Sequence, residues 1–121
     1  MQVKIHELAA NELNEAIEWY ELQSKGLGQR FKKSVIEHID KIKMNPDWFL
    51  IEADTIHKAY IPKFPYKILF TKESNKSITI WAIAHLHRKP WYWQNRITRY
   101  MAKSVGSRQR GINPVYQVVD K

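Results

Sequence analysis

The spacing of apolar residues changes along the chain, and each change predicts a different element. Val3 and Ile5 alternate with polar neighbours, which predicts a short half-buried strand. From Leu8 the apolar residues recur at helical spacing, which predicts a first helix that ends at 24–28, where two glycines allow a tight corner. Its apolar face comprises Leu13, Ala16, Ile17 and Tyr20.

A second helix follows the corner and ends at Asn45–Pro46, because the residue before a proline disfavours helical geometry. Its apolar face comprises Phe31, Val35, Ile39 and Ile42. Because the connection between the helices is short, we expect them to be antiparallel neighbours.

Beyond residue 55 the apolar period becomes two, which predicts strands at 56–62, 66–71 and 78–85. Residues 47–55 are ambiguous, and we expect Trp48, Phe49 and Leu50 to cover one end of the core. The last strand is apolar on both faces and should therefore lie centrally in the sheet. Its predicted faces are Ile78, Ile80, Ala82 and Ala84 on one side, and Thr79, Trp81, Ile83 and His85 on the other.

The order β-α-α-β-β-β, followed by a short helix after Pro90, predicts an α+β fold. We expect the helical hairpin to pack on one face of a small, mainly antiparallel sheet. A length of 121 residues fits one compact domain, which we place at 1–104. Residues 105–121 are predicted to be a C-terminal extension, either a mobile tail or an extra edge strand.

Composition excludes several classes of protein. The absence of cysteine rules out disulfide scaffolds, zinc–thiolate sites and cysteine nucleophiles. The longest apolar run, Ile80–Ala84, is far shorter than the roughly 20 residues of a membrane helix. We therefore expect a cytoplasmic protein with no membrane partner. The net charge of +8 is concentrated in the second half of the chain, which suits a polyanion or an acidic protein partner.

Four segments, in this order, resemble the RelE/ParE superfamily of bacterial toxins from type II toxin–antitoxin modules. They are 16–21 in the first helix, 26–28 followed by Phe31 at the corner, 64–68 at the entry to a strand, and 85–96. The last segment, with its histidines, Arg88, Pro90, Tyr92–Trp93 and Arg96, is closest to the ParE-like, plasmid-stabilisation branch. The resemblance covers roughly residues 1–100.

The resemblance implies a toxin that arrests growth and is silenced by a cognate antitoxin in a hetero-oligomer. Two activities occur in the superfamily, inhibition of DNA gyrase and ribosome-dependent cleavage of mRNA, and a shared fold cannot choose between them. The ending of the 85–96 segment favours the gyrase activity. So does Leu86, which stands where the mRNA-cleaving branch carries a catalytic arginine. The alternatives are a RelE-like endoribonuclease and a non-toxic basic domain that binds nucleic acid.

Metal-independent cleavage of RNA needs a proton acceptor, a proton donor and cations around one phosphate. The residues that would supply them here are Lys67, His85, Arg88 and Tyr92. The resemblance implies the phosphate contact of Lys67 and the position of Tyr92. A further set could bind the target by stacking and charge, namely His87, Lys89, Trp91, Trp93 and Arg96. We expect no metal and no cofactor.

Structural roles compete with these functional ones. His85 could be a hydrogen-bonded histidine of the sheet, and Arg96 is expected to pair with a helix carboxylate. At least one of Trp91 and Trp93 should be buried. We expect His85 and His87, which are two residues apart, to lie on opposite faces of a strand. The carboxylates of Glu12, Glu15 and Glu18 should form a solvated helix face.

Overall fold

The computed structural model describes residues 1–74, 76–98 and 116–118. The helices are α1 (Glu7–Gln23) and α2 (Leu27–Met44), with a 3-10 turn at Pro46–Trp48 and a short helix at 94–98. The strands are β1 (Gln2–His6), β2 (Leu50–Ala53), β3 (Ile56–Tyr60), β4 (Tyr66–Ser74), β5 (Ser77–His85) and β6 (Tyr116–Val118). No helix in these ranges is long and apolar enough to cross a membrane.

The strands form a single sheet in the order β2-β3-β4-β5-β1-β6. Only β1 and β5 pair in parallel, and the other neighbours are antiparallel. The predicted α+β fold with a helical hairpin on a mainly antiparallel sheet is therefore confirmed. Within 105–121 only β6 is described, and the domain boundary at 104 falls outside the described residues, so the division stays a prediction.

The corner between the helices depends on a carboxylate and a glycine. The backbone N–H groups of Gly26 and Gly28 donate to the Glu21 carboxylate at 2.8 and 2.9 Å, which caps the start of α2. A Cβ on Gly28 would collide with the carbonyl oxygen of Ile17. This close approach allows the predicted apolar faces of both helices to pack into the core, with Leu13 and Ile17 of α1 only partly buried.

The predicted faces of β5 are wrong beyond Ile80, because the strand contains a β-bulge. Leu69 pairs with Ala82 and Phe70 pairs with Ile80, so Trp81 has no partner of its own on β4. A bulge of one residue reverses the alternation that follows it. Ile83 therefore joins Ile78 and Ile80 against the helices, whereas Ala82 and Ala84 lie on the opposite face.

The segment after α2 only partly covers the core. Phe49 packs against Phe70, with ring centroids 5.9 Å apart. Trp48 and Leu50 are 81% and 64% exposed, so the expectation that both cover the core is wrong. Instead of a loop cap, the segment forms the edge strand β2, and its alternation turns Leu50 away from the helices.

Candidate target-binding cleft

The connection after β5 is held against the turn between β3 and β4. The Leu86 N–H donates to the Pro65 carbonyl oxygen at 2.8 Å, and the Arg88 N–H donates to the His85 carbonyl oxygen at 3.0 Å. The His87 N–H donates to Nδ1 of His85 at 3.0 Å. These bonds turn the chain sharply and fix the direction of its side chains.

The turn brings the two histidines together rather than apart. Their ring centroids are 5.2 Å apart, and His87 lies in the turn after β5. The prediction that they occupy opposite faces of a strand is wrong, because side chains alternate with a period of two and residues i and i+2 share a face. Among the described residues, no group of three or more histidine, aspartate or glutamate side chains could hold a metal ion.

His85 lies at one wall of an open cleft of about 290 Å³ between α1 and the end of β5. The cleft is lined by Glu12, Glu15, Ala16, Trp19, Tyr66, Ile83, His85 and Arg88. Tyr66 is the register partner of His85, and the two rings meet edge to face at 5.1 Å. Burial, and secondarily the neighbouring His87, lowers the pKa of His85, which keeps its ring neutral near pH 7.

Arg88 lies beside the cleft and covers the ring of Tyr92. Its guanidinium carbon is 3.8 Å from the ring centroid, a cation–π contact. The Tyr92 hydroxyl donates to Oε2 of Glu12 at 2.8 Å. Burial and the Glu12 carboxylate raise the pKa of Tyr92, so its hydroxyl holds its proton across the physiological range.

Glu12 and Arg96 form an ion pair of 2.7 Å whose side chains are only 14% and 10% exposed. The expected pairing of Arg96 with a helix carboxylate is thereby observed. Glu12 departs from the expectation of a solvated face, whereas Glu15 and Glu18 are exposed as predicted.

The same pair completes the hydrogen bonding of β5. β1 pairs with β5 only as far as Ile80, which leaves the next part of that edge without a neighbouring strand. There the Ile83 N–H donates to Glu12 at 2.9 Å, and the Trp81 carbonyl oxygen accepts from Arg96 at 2.8 Å. The two charged side chains thus satisfy backbone hydrogen-bonding groups at this edge of β5, as a neighbouring strand would.

His6 adjoins this pair at the end of β1. Its Nδ1 accepts a hydrogen bond from the Leu8 N–H at 3.1 Å and thereby caps α1. Burial, and next the positive charge of Arg96, lowers the pKa of His6. We call Glu12, Tyr92, Arg96 and His6 the edge network.

The sequence-predicted residues consequently separate into three places. His85, His87 and Arg88 lie together at the cleft, and Tyr92 and Arg96 belong to the edge network. Lys67 is on the face of β4 that points away from the helices, where its Nζ donates to Glu52 at 3.0 Å.

The two tryptophans of the 85–96 segment differ in burial. Trp93 is 2% exposed and packs under the sheet against Leu69, Ala82 and Ala84, so one of the two tryptophans is buried as expected. Trp91 is 47% exposed, with its ring centroid 5.3 Å from that of Trp93. Lys89 is exposed.

Sequence reasoning missed Glu12 as a member of this region. Two features of the sequence could have indicated it. Glu12 is the acidic residue nearest the start of the apolar face of α1, and Arg96 was expected to pair with a helix carboxylate. The spacing of some 80 residues between them hid the contact.

A chain of known structure shares this fold. It belongs to the chromosomal ParDE TA system from P. aeruginosa and superposes with a TM-score of 0.63 at 15% sequence identity. The match covers 72% of this chain and 97% of that chain. No protein-family model matches the sequence, and no curated protein matches it significantly. The similarity shows the RelE/ParE-like fold.

Proposed function

We propose that this protein is the toxin of a type II toxin–antitoxin module, which arrests growth and is neutralised by a cognate antitoxin. The observation that carries the proposal is the shared fold with the ParDE chain, nearly all of which is covered. The four sequence segments that resemble the superfamily support it independently of the superposition.

For the target, we favour DNA gyrase, bound without any bond-making step by the toxin itself. The arrangement of the four candidate catalytic residues supports this choice. Lys67 is paired with Glu52 on the far face of the sheet, and the Tyr92 hydroxyl is bonded to Glu12. Only His85 and Arg88 face the cleft together. Binding through His85 and Arg88 needs no proton donor at Tyr92.

The second candidate function is ribosome-dependent cleavage of mRNA, and one feature of the cleft favours it. Because Nδ1 of the neutral His85 accepts from the His87 N–H, its Nε2 carries the proton, so the ring offers a proton donor beside Arg88, a cation suited to a phosphate. A catalytic site of this kind would use His85 and Arg88 but would leave Lys67 and Tyr92 out.

Induced expression in bacteria tests the toxin proposal first. Growth should stop after induction and resume when a small protein encoded beside this gene is co-expressed. Normal growth in every host tried would contradict the proposal and would favour a non-toxic nucleic-acid-binding domain of the same fold.

Two assays with purified protein then separate the targets. Inhibition of gyrase supercoiling without ribosomes supports the favoured function. Cleavage of mRNA that requires translating ribosomes and is abolished by His85→Ala supports the second. His38→Ala is the matched control, because His38 lies on α2 and is absent from the cleft lining.

A further inference from the structure

One edge of the sheet is open in the part of the chain that the structure describes. β2 is the terminal strand and pairs with β3, and no described strand lies against its outer side. A strand edge without a neighbour presents a row of N–H and C=O groups that are free to pair with another chain. The outer edge of β2 can therefore accept a further strand.

The side chains around this edge are apolar and exposed. Met44 and Trp48 are 82% and 81% exposed, and Leu50 and Ile51 of β2 are 64% and 50% exposed. Leu50 and Ile51 are consecutive in the strand, so the edge presents an apolar side chain on each face of the sheet. β2 also contains neither lysine nor proline, the residues with which proteins commonly block an edge. A single exposed apolar residue is ordinary, whereas four within eight positions beside an open edge indicate a binding surface.

Most charged groups beside the edge are already paired within the chain. Glu52 accepts a hydrogen bond from Lys67 at 3.0 Å and lies 3.6 Å from Lys58, and Asp47 pairs with Lys72 at 3.1 Å. A nucleic acid or an acidic segment would have to displace a carboxylate from each of these lysines. The edge therefore favours a partner that is itself an apolar strand edge.

We propose that β2 pairs antiparallel with β2 of a second copy of this chain, so that the two sheets become one. Closed pairs of identical chains form about a two-fold axis, and here the axis would run perpendicular to the sheet. Opposite residues of an antiparallel pair share a face, so the axis must pass beside one residue and its own counterpart. A centre at Glu52 would set two carboxylates opposite each other. The centre is therefore Leu50 or Ile51.

The register of β2 with β3 agrees with a short pairing of this kind. The register shifts between Ile51 and Ala53, which ends the regular part of the strand, whereas Phe49 before β2 already has extended backbone. Residues 49–51 consequently form the stretch that is suited to pairing. A strand pair of this length buries little area, so the dimer should be weak and should depend on concentration.

The same arrangement places opposite charges together at both ends of the paired strands. Antiparallel pairing sets the end of one β2 against the start of the other. Asp54, which is exposed and follows β2, would approach the end of α2 in the second copy, where Lys43 lies. Among the described residues neither of them makes an ion pair. The two-fold axis would give two such pairs.

Sedimentation velocity of the full chain between about 1 and 100 µM tests the assembly. About 0.3 M salt screens the net charge of +8 that each copy carries. With a Kd of about 10 µM, the chain of 14.5 kDa should be mostly monomeric at the lowest concentration and mostly dimeric at the highest.

Added lysines should prevent the pairing. Leu50→Lys with Ile51→Lys should raise the Kd at least about tenfold, because lysines on an edge strand oppose association. Leu22→Lys with Gln23→Lys is the matched control. These two residues are also consecutive and exposed, they add the same charge, and they lie at the end of α1. The control should dimerise as the unchanged protein does.

The absence of cysteine from the chain allows the axis to be located. Leu50→Cys and Ile51→Cys are oxidised separately. A residue beside a two-fold axis lies close to its own counterpart, and a disulfide needs a Cβ–Cβ separation of about 4 Å. At least one of the two variants should form a disulfide-linked dimer, whereas Leu22→Cys, which is 82% exposed, should not.

Hydrogen exchange identifies the interface without any substitution. The amides of 49–53 should exchange more slowly as the concentration rises, and those of 18–23 should not change. The inference stands apart from the proposed function, because no residue of this edge lines the target-binding cleft. Growth arrest is measured separately, so loss of toxicity would not be mistaken for loss of the dimer.

Four outcomes would each overturn the inference. They are a monomer at every concentration, slowed exchange confined to another surface, an unchanged Kd in the Leu50→Lys, Ile51→Lys protein, and no disulfide at either position. Circular dichroism should show that both double variants fold, since all four substituted side chains are exposed. Exchange and sedimentation of the unchanged protein decide the question even where a variant does not fold.

Discussion

The edge network and the cleft cluster of His85, His87 and Arg88 both include residues of the 85–96 segment, yet their polar groups are used in opposite ways. In the edge network every charged group has a partner, since Arg96, Tyr92 and the Ile83 N–H all meet Glu12. At the cleft, Arg88 and His87 are exposed, and Arg88 makes no ion pair with any described residue. The basic, aromatic segment 85–96 thus contributes both to a buried structural network and to an accessible surface, and only the contacts of its side chains distinguish the two.

The largest expected difference between the two regions is in stability. Arg96→Ala should lower the free energy of unfolding by about 3 kcal/mol, because it leaves the Glu12 carboxylate without its cation and exposes part of the β5 edge. Arg88→Ala should change it by no more than about 1 kcal/mol, the scale of its cation–π contact with Tyr92. Urea denaturation of both variants provides the measurement.

A double-mutant cycle sharpens this result. Adding Glu12→Gln to Arg96→Ala should recover part of the loss, since the amide still accepts the Ile83 N–H and no longer carries a charge. Equal destabilisation by Arg88→Ala and Arg96→Ala would remove the distinction between the two regions.

Binding to the target should depend on the cleft cluster, which has the smaller effect on stability. Arg88→Ala should weaken binding to the target about tenfold, or about 1.4 kcal/mol, and should delay growth arrest at a given level of expression. Lys25→Ala, which removes a remote exposed cation, should arrest growth as the unchanged protein does. Full toxicity of Arg88→Ala would show that the cleft is not the binding surface.

Tyr92 lies between the two regions, because its ring contacts Arg88 and its hydroxyl contacts Glu12. Tyr92→Phe removes only the hydroxyl, so it should cost about 1 kcal/mol in stability and leave growth arrest intact. Thermal melting and an expression assay measure the two effects. Loss of arrest in a folded Tyr92→Phe protein would instead indicate a chemical role for the hydroxyl.

The smallest expected effect is on the pH dependence of stability. The pKa values of His6 and His85 are both lowered from 6.5, so as the pH falls below about 6.5 the unfolded chain takes up protons before the folded one. Stability should therefore be highest above that pH and decline in more acidic solution.

The two histidines should not contribute equally to that decline. His6→Asn keeps an acceptor for the Leu8 N–H and should flatten the pH profile, whereas His85→Gln should change it less, because His85 is the more exposed. Chemical denaturation between pH 5 and 8 makes the comparison. A profile that flattens only in His85→Gln would contradict it.

The fold was predictable because local patterns and long-range packing agree for most of it. The buried faces of both helices follow from 3.6-residue periodicity, and the glycine corner follows from the short connection. The predicted faces of β5 are wrong for one reason, the bulge at Trp81, which the alternation of apolar residues does not indicate. Leu50 is exposed because it lies on an edge strand, and Trp48 is exposed at the end of the 3-10 turn before it, although their short apolar run resembles a core segment.

The cleft was less predictable, because it depends on contacts between distant parts of the chain. The sequence grouped Lys67 with His85 through neighbouring strands, but the two side chains leave the sheet on opposite faces. The prediction that separated His85 from His87 misapplied strand alternation, which places residues i and i+2 on the same face. Glu12 was assigned to a solvated face, since nothing local indicates that β1 ends early and leaves a strand edge to be satisfied.

The central claim, that this protein is a toxin which acts by binding through the cleft, is tested most directly by gyrase supercoiling with three purified proteins. The unchanged protein and Tyr92→Phe should inhibit supercoiling at the same concentration, and Arg88→Ala should need about ten times more. Full supercoiling activity at every concentration of the unchanged protein would contradict the account.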